Sequence, residues 1–168
     1  MKSVVVFCFL LFVFTPLFAQ QETSQTGKRA QNFKLNDIDG GQLELNSVIG
    51  DGPVLLSFWA TWCKPCMEEL TEFNKIYNDL KDKGFKLIAI STDNEKTVAK
   101  VKPFIKSRNY NFTVLLDTNS DVARKYYAQQ IPYSVIIDKE GNIIYSHLGY
   151  MKGDEKKVRS IIEEQLKL

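Results

Sequence analysis

The sequence predicts a mixed α/β fold in which helices cover both faces of a central sheet. Short, nearly continuous apolar runs at residues 53–60, 85–91 and 112–117 are typical of strands buried on both faces. Segments with helical hydrophobic spacing follow these runs, and a closing pair of strands and a last helix complete the order. The 168 residues, of which 44% are hydrophobic and 25% charged, suit one globular domain.

The first residues have the composition of an export signal. Lys2 precedes a long apolar run that the small residue Ala19 closes, which predicts a signal peptide over residues 1–19. The alternative is an uncleaved membrane anchor over residues 4–19, slightly shorter than the ~20 apolar residues that span a bilayer. Cleavage is favoured because the segment is short.

Export and charge limit the function classes that fit. Cys8 lies inside the apolar run and leaves with the signal, so the mature chain keeps Cys63 and Cys66 in a compartment where disulfides persist. The net charge of +2 does not indicate nucleic acid or an acidic membrane as a partner. Residues 20–31 are polar without hydrophobic periodicity, which predicts a flexible leader before a domain over residues 32–168.

The remaining elements follow from turn residues and hydrophobic spacing. One hairpin is predicted over residues 33–35 and 43–45, and a second over residues 133–138 and 142–149 with Gly141 in its turn. Apolar residues at helical spacing, with polar residues before them, predict four helices. These begin near Cys63, at Asp93 or Asn94 with a kink at Pro103, at Ser120 or Asp121, and at Asp154.

Two cysteines, Cys63 and Cys66, stand where a buried strand passes into a helix. Backbone N–H groups without an intrahelical partner and the positive end of the helix dipole favour a thiolate at Cys63. Cys66 follows one turn later on the same side, where its sulfur can attack a mixed disulfide. Lys64 adds a positive charge, and Pro65 suits the first turn of a helix.

Two other uses of the cysteine pair remain open on the residues alone. A zinc site needs about four ligands, and beyond the two cysteines the mature chain offers His147 and carboxylates. A structural disulfide between Cys63 and Cys66 would close a small loop and remove little entropy from the unfolded chain. A redox couple is therefore favoured, and neither a metal nor another cofactor is expected.

The stretch "FWATWCKPC" resembles the active-site signature of the thioredoxin superfamily. The residues before it from Phe33, and the later stretch "LLDTNSDVARKYYAQQIPYSVIIDKEGNI", resemble the exported TlpA/ResA-type thiol-disulfide oxidoreductases. The resemblance covers roughly residues 30–168. It implies a thioredoxin-like fold with an N-terminal β-hairpin extension, with Cys63 as nucleophile, Cys66 as resolving cysteine and a redox disulfide between them.

The resemblance also implies a surface for the substrate. Pro132 matches the cis-proline of the family, and Ile131 before it would offer its backbone to a substrate strand. Trp62, Lys64 and Pro65 would border the same surface.

The proton acceptor is less defined by the resemblance. Classical thioredoxins carry a buried acid in the strand before the motif, but the matching residue is Ser57, so that role does not transfer. Glu69, three residues after Cys66, matches an acid that TlpA/ResA-like proteins often have. The alternative is a solvated helix glutamate like Glu68. Thr71 stands where the family commonly has a proline that bends the helix.

The resulting hypothesis is an exported thiol-disulfide oxidoreductase of the periplasm or cell envelope. It would exchange its disulfide with cysteine-containing exported proteins and use a membrane or envelope thiol as electron donor, with reduction, for example in cytochrome c maturation, as the favoured direction. Nucleic acid is not an expected partner, and the membrane is one only through an uncleaved N-terminal segment. The alternatives are a non-catalytic thioredoxin-fold binding module and a peroxidase-type relative, for which a lone peroxidatic cysteine would be expected.

Overall fold

A seven-stranded mixed sheet forms the centre of the protein in a computed structural model that describes residues 25–168. The strands lie in the order β2-β1-β5-β4-β3-β6-β7, with β3, β4 and β5 parallel and all other neighbours antiparallel. The strands are β1 (Lys34–Asp37), β2 (Gln42–Glu44), β3 (Val54–Trp59), β4 (Lys86–Ser91), β5 (Thr113–Leu116), β6 (Tyr133–Ile137) and β7 (Ile143–Leu148).

Four α-helices connect or close the strands. They are α1 (Lys64–Leu80), α2 (Val101–Ser107), α3 (Asp121–Lys125) and α4 (Asp154–Leu166). Buried side chains of α1, α2 and α4 pack on one face of the sheet, and those of α3 pack on the other. The prediction of a sheet with helices on both faces is therefore confirmed. Within residues 25–168, no helix has the length and apolar composition needed to cross a bilayer.

Strand β3 is buried along its whole length. Because side chains alternate between the faces of a strand, Leu55 and Trp59 enter the cluster beneath α1, whereas Leu56 and Phe58 enter the cluster beneath α3. The apolar run that predicted this strand is nearly continuous because both faces of the strand contribute side chains to a hydrophobic core.

Helix α1 begins immediately after β3 and carries a long buried face. Cys63 is its N-cap, and Pro65 lies in its first turn, where the missing N–H would have had no partner. At the family's proline position, Thr71 Oγ1 donates to Met67 O at 2.9 Å, and the helix continues through it without interruption. The residues buried on this face are Cys66, Glu69, Leu70, Phe73, Ile76 and Leu80.

The start of the second helix differs from the prediction. Asp93 is fully buried and its carboxylate faces the chain before α1, so it does not cap a helix. Asn94 Oδ1 instead accepts from Lys96 N at 3.0 Å in a local turn, and a short 3-10 turn precedes α2. Pro103 then falls in the first turn of α2, where a missing N–H is tolerated, and the helix continues through it to Ser107.

The cap of α3 also differs from the prediction. Neither Ser120 nor Asp121 caps this helix through its side chain. The buried Asp117, at the end of β5, accepts from Val122 N at 3.2 Å and from Ala123 N at 2.8 Å. A carboxylate from the preceding strand therefore satisfies the free N–H groups of the helix start.

Part of the predicted flexible leader packs against the domain. The predicted signal peptide or anchor and residues 20–24 lie outside the described residues. Residues 25–31, by contrast, lie beside the start of β7. Gly27 N donates to Ile143 O and Ile143 N donates to Lys28 O, both at 2.8 Å, and the buried Gln25 side chain donates to the Tyr126 carbonyl. The prediction is wrong for residues 25–31 because backbone pairing with a strand edge leaves no hydrophobic period in the sequence.

We expect the buried face of α1 to hold a large share of the stability. Phe73 is 1% exposed, and Phe73→Ala should lower the free energy of unfolding by about 3–5 kcal/mol because it leaves a cavity against the sheet. Urea denaturation with the disulfide intact measures the change. Met151→Ala, at a side chain that is 75% exposed, is the matched control and should change it by less than about 0.5 kcal/mol.

Candidate active site

A disulfide joins Cys63 and Cys66 at the start of α1. The S–S distance is 2.01 Å and the two Cα atoms lie 5.3 Å apart. Cys63 Sγ also accepts from Cys66 N at 3.3 Å, so the sulfur lies against the free N–H groups of the first turn. The structure thus places the predicted pair at the positive end of the helix.

The turn before Cys63 is fixed by a buried carboxylate from β4's C-terminal end. Asp93 accepts from Thr61 N at 2.8 Å and from Thr61 Oγ1 at 2.6 Å, and Ser91 Oγ donates to it at 2.9 Å. Asp93 holds the backbone two residues before Cys63, a contact that the sequence prediction missed. The separation of 32 residues between Thr61 and Asp93 leaves no local pattern that would have indicated it.

Glu69 is buried on the face of α1 that also carries Cys66 and is not solvated. It is 2% exposed, whereas its neighbour Glu68 is exposed, so the alternative of a solvated glutamate is wrong. Ser57 Oγ on β3 donates to one carboxyl oxygen of Glu69 at 3.1 Å, and Ser134 Oγ on β6 donates to the other at 3.0 Å. The serine at the position of the missing strand acid therefore binds an acid that comes from α1.

Burial changes the acidity of Glu69. The loss of hydration disfavours the charged carboxylate more than the two serine hydroxyls favour it, and Asp154 adds repulsion. Together these effects raise the pKa of Glu69 to about 8. Glu69 therefore keeps its proton at neutral pH in the disulfide form and releases it in slightly basic solution.

The loop before β6 lies beside a cleft at the strand ends. The Ile131–Pro132 peptide bond is cis, as the resemblance implied, and Trp62 is 64% exposed next to Cys63. A cleft of about 280 Å³ lies between Trp62 and Ile131. Lys64 and Pro65 are exposed at the start of α1. The other residues that line the cleft are Thr92, Ser120, Ala123, Arg124, Ala128 and Gln129.

A group of polar side chains extends from Glu69 towards β7. Ser134 pairs with His147 in the antiparallel register of β6 and β7, and Tyr145 stacks on His147 with a centroid separation of 6.2 Å. His147 Nε2 lies 3.3 Å from Asp154 Oδ2 at the start of α4. The sequence analysis considered His147 only as a possible zinc ligand and did not connect it with Glu69.

The described residues offer no second kind of site around the cysteines. Within residues 25–168, no group of three or more His, Cys, Asp or Glu side chains is arranged to hold a metal ion. The two sulfurs are bonded to each other, so a dithiol-disulfide interconversion is the chemistry that this arrangement offers.

Comparisons with known proteins agree with this geometry. The sequence pattern of the AhpC/TSA family matches residues 26–146. The thiol-disulfide oxidoreductase ResA of Bacillus cereus is 37% identical over 150 residues, which cover 89% of this chain and 82% of that protein. ResA of Bacillus subtilis is 34% identical over 139 residues, covering 83% and 76% of the two chains.

Solved structures show the same fold. The thioredoxin domain of a thiol-disulfide oxidoreductase from Bacteroides vulgatus superposes with a TM-score of 0.68 at 26% identity, covering 82% of this chain and 97% of that one. StoA from Bacillus subtilis superposes with a TM-score of 0.65 at 25% identity, covering 77% and 95%. The fold is therefore thioredoxin-like, as the sequence predicted.

The raised pKa of Glu69 should make stability depend on pH. Because the folded state keeps a proton that the unfolded state releases, the free energy of unfolding should fall as the pH rises from about 4.5 to about 8. Glu69→Gln, which stays neutral, should flatten this fall. Urea denaturation of the oxidised protein at several pH values measures it.

The adjacent exposed Glu68 provides the matched control for this measurement. Glu68→Gln should keep the wild-type pH profile. Equal slopes for wild type and Glu69→Gln across this range would show that Glu69 does not hold a proton in the folded state.

Proposed function

The chain belongs to the AhpC/TSA family and is a thiol-disulfide oxidoreductase of thioredoxin-like fold, and from this premise we propose that it reduces disulfides of exported proteins through Cys63 and Cys66. The observation that carries the proposal is the disulfide itself, placed at the N-terminus of α1 beside an exposed tryptophan and a cleft. The position of Cys63 stabilises a thiolate through the free backbone N–H groups and the helix dipole.

The proposed reaction has two exchange steps. The Cys63 thiolate attacks one sulfur of a substrate disulfide, forms a mixed disulfide and expels the other substrate sulfur as a thiolate, which takes a proton from solvent. The Cys66 sulfur then loses its proton, attacks Cys63 Sγ and releases the second substrate sulfur as a thiolate, which also takes a proton from solvent. The protein ends as the Cys63–Cys66 disulfide, and the substrate gains two electrons and two protons.

The two cysteines have different proposed roles because their surroundings differ. Cys63 is 6% exposed at the N-terminus of α1, whereas Cys66, one turn further along the helix, is completely buried. An incoming disulfide therefore reaches Cys63 first, and Cys66 is reserved for the intramolecular step. Ile131 and Pro132, together with Trp62, Lys64 and Pro65, would contact the substrate around the sulfur under attack.

In its ionised form, Glu69 is the proposed proton acceptor for Cys66 in the dithiol protein. It lies one helical turn after Cys66 on the same buried face, and its pKa of about 8 is close to the ~8.5 of an ordinary thiol. A proton is transferred with little free energy between groups of similar pKa. After the second step, Glu69 holds the proton that Cys66 has lost, bound between Ser57 and Ser134.

The proposed location is the periplasm or cell envelope. The support is the sequence of residues 1–19, which has the composition of a signal peptide, with an anchor over residues 4–19 as the alternative. In that compartment the protein needs a membrane or envelope thiol as electron donor, because disulfides persist there. Cytochrome c maturation is one process that requires reduced cysteines in exported proteins.

The division of roles between the cysteines can be tested by trapping. Cys66→Ser should accumulate mixed disulfides with exported proteins, because Cys63 still attacks but nothing releases the adduct. Cys63→Ser is the matched control and should accumulate none. The measurement is non-reducing electrophoresis of envelope fractions after acid quenching. Adducts in Cys63→Ser and none in Cys66→Ser would reverse the roles, and none in either would favour a non-catalytic binding module.

The direction of the reaction can be tested by the reduction potential of the purified domain. A reductase should have a potential near that of thioredoxin, about −270 mV, whereas a value near the −120 mV of a strong oxidant would contradict the proposed direction. Equilibration with dithiothreitol or glutathione buffers gives the value.

Peroxide consumption by the reduced protein should not exceed that of Cys63→Ser, and a clear excess would support a peroxidase.

A further inference from the structure

The proposed reaction leaves a proton in a place that solvent does not reach. Glu69 is 2% exposed, and the two hydroxyl groups bound to its carboxyl oxygens belong to Ser57 and Ser134, both of which are buried. Each catalytic cycle deposits or removes one proton at this carboxyl. A route is therefore needed by which the proton exchanges with water.

Side chains on neighbouring strands continue the polar group towards the surface. Ser57 pairs with Ser134 between β3 and β6, and Ser134 pairs with His147 between β6 and β7. Directly opposite residues in antiparallel strands project to the same face with Cβ atoms about 4.5–5.5 Å apart. Ser57, Ser134 and His147 thus form one row across three strands, with Glu69 over its buried end.

The outer end of this row is a histidine in contact with solvent. The His147 side chain is 38% exposed, and its Nε2 lies 3.3 Å from Asp154 Oδ2, whose side chain is 30% exposed. Asp154 Oδ2 also accepts from Met151 N at 2.7 Å, which fixes the carboxylate at the start of α4. Asp154 therefore lies in position to orient the imidazole at the surface end of the row.

We propose that His147, oriented by Asp154, is the group through which the buried Glu69 carboxyl exchanges its proton with solvent, with the Ser134 hydroxyl between them. In the outward direction, Glu69 passes its proton to Ser134 Oγ, Ser134 passes its own proton to the imidazole, and the imidazolium releases one proton to water. No electrons move, Ser134 and His147 return to their starting states, and Glu69 is left as a carboxylate. The inference rests on the proposed role of Glu69.

Tyr145 is the competing route. It is half-buried on the same face as His147. Burial raises the pKa of its phenol most, and the nearby carboxyl groups of Asp154 and Glu69 raise it further. Tyr150, in the loop before α4, is also raised in pKa, with Glu69 as the smallest of several causes. A neutral phenol that binds its proton tightly is a poorer carrier near neutral pH than an imidazole.

The exchange can be measured directly in the oxidised protein without a substrate. At about pH 6 Glu69 is protonated, and its carboxylic C=O stretch is identified as the infrared band that Glu69→Gln lacks. After rapid mixing into D₂O, the shift of this band records the exchange of the Glu69 proton. We expect His147→Gln to slow the shift by about tenfold or more.

Three further variants separate a proton carrier from a structural residue. His147→Ala should be equally slow, and added imidazole should restore most of the wild-type rate. Ser146→Ala, on the same strand but facing the other side of the sheet, should exchange like wild type. Tyr145→Phe should also exchange like wild type.

Each contrary outcome overturns the inference. If His147→Gln exchanges at the wild-type rate, His147 is excluded as the carrier, and if Tyr145→Phe alone is slow, Tyr145 is the carrier instead. His147 is also excluded if added imidazole does not restore the exchange rate of His147→Ala. The proposed role of Glu69 fails separately, if Glu69→Gln reacts with dithiols at the wild-type rate at every pH. The infrared result does not depend on that rate, so the two failures are distinguishable.

Discussion

The constraint on which the structure depends is that β3 must be covered on both faces. Its six residues are all buried, with one set of side chains beneath α1 and the other in the core that includes α3. The chain leaves the end of this strand at Trp59, and within four residues it forms the turn that places Cys63 at the helix start. Because β3 is held by two sheet neighbours and two cores, the disulfide between Cys63 and Cys66 follows a strand that is fixed on both edges and both faces.

Stability and chemistry oppose each other at one position of the same core. An apolar residue at position 69 would fill the space between α1 and the sheet without the cost of burying a carboxyl group. The protein instead has Glu69 there, and one serine among the apolar residues of β3 and one in β6 bind its carboxyl group. The protonated state is what makes this arrangement tolerable, because a neutral carboxyl with two hydrogen bonds is far less costly to bury than a carboxylate.

The features that the sequence predicted are those determined by local patterns. The buried strands, the helix after Cys63 and the hairpin at Gly141 follow from apolar runs, helical spacing and turn residues. The site features that it missed depend on residues distant in sequence: Ser134 lies 65 positions from Glu69, and Asp93 lies 32 from Thr61. The sequence left Glu69 open between a functional acid and a solvated helix glutamate, and its buried position is seen only with the two serines on the sheet that bind its carboxyl group.

The segment over residues 25–31 has a consequence for association between copies of the chain. The outer edge of β7 would otherwise present a row of unpaired backbone groups, which is a template for pairing with another strand. Gly27, Lys28 and Ala30 bind the start of this edge, and Arg29 forms a bridge with Asn142. At the opposite edge, β2 has three residues, too few for a stable intermolecular ladder. The N-terminal segment thus shortens the part of the β7 edge that another strand could pair with.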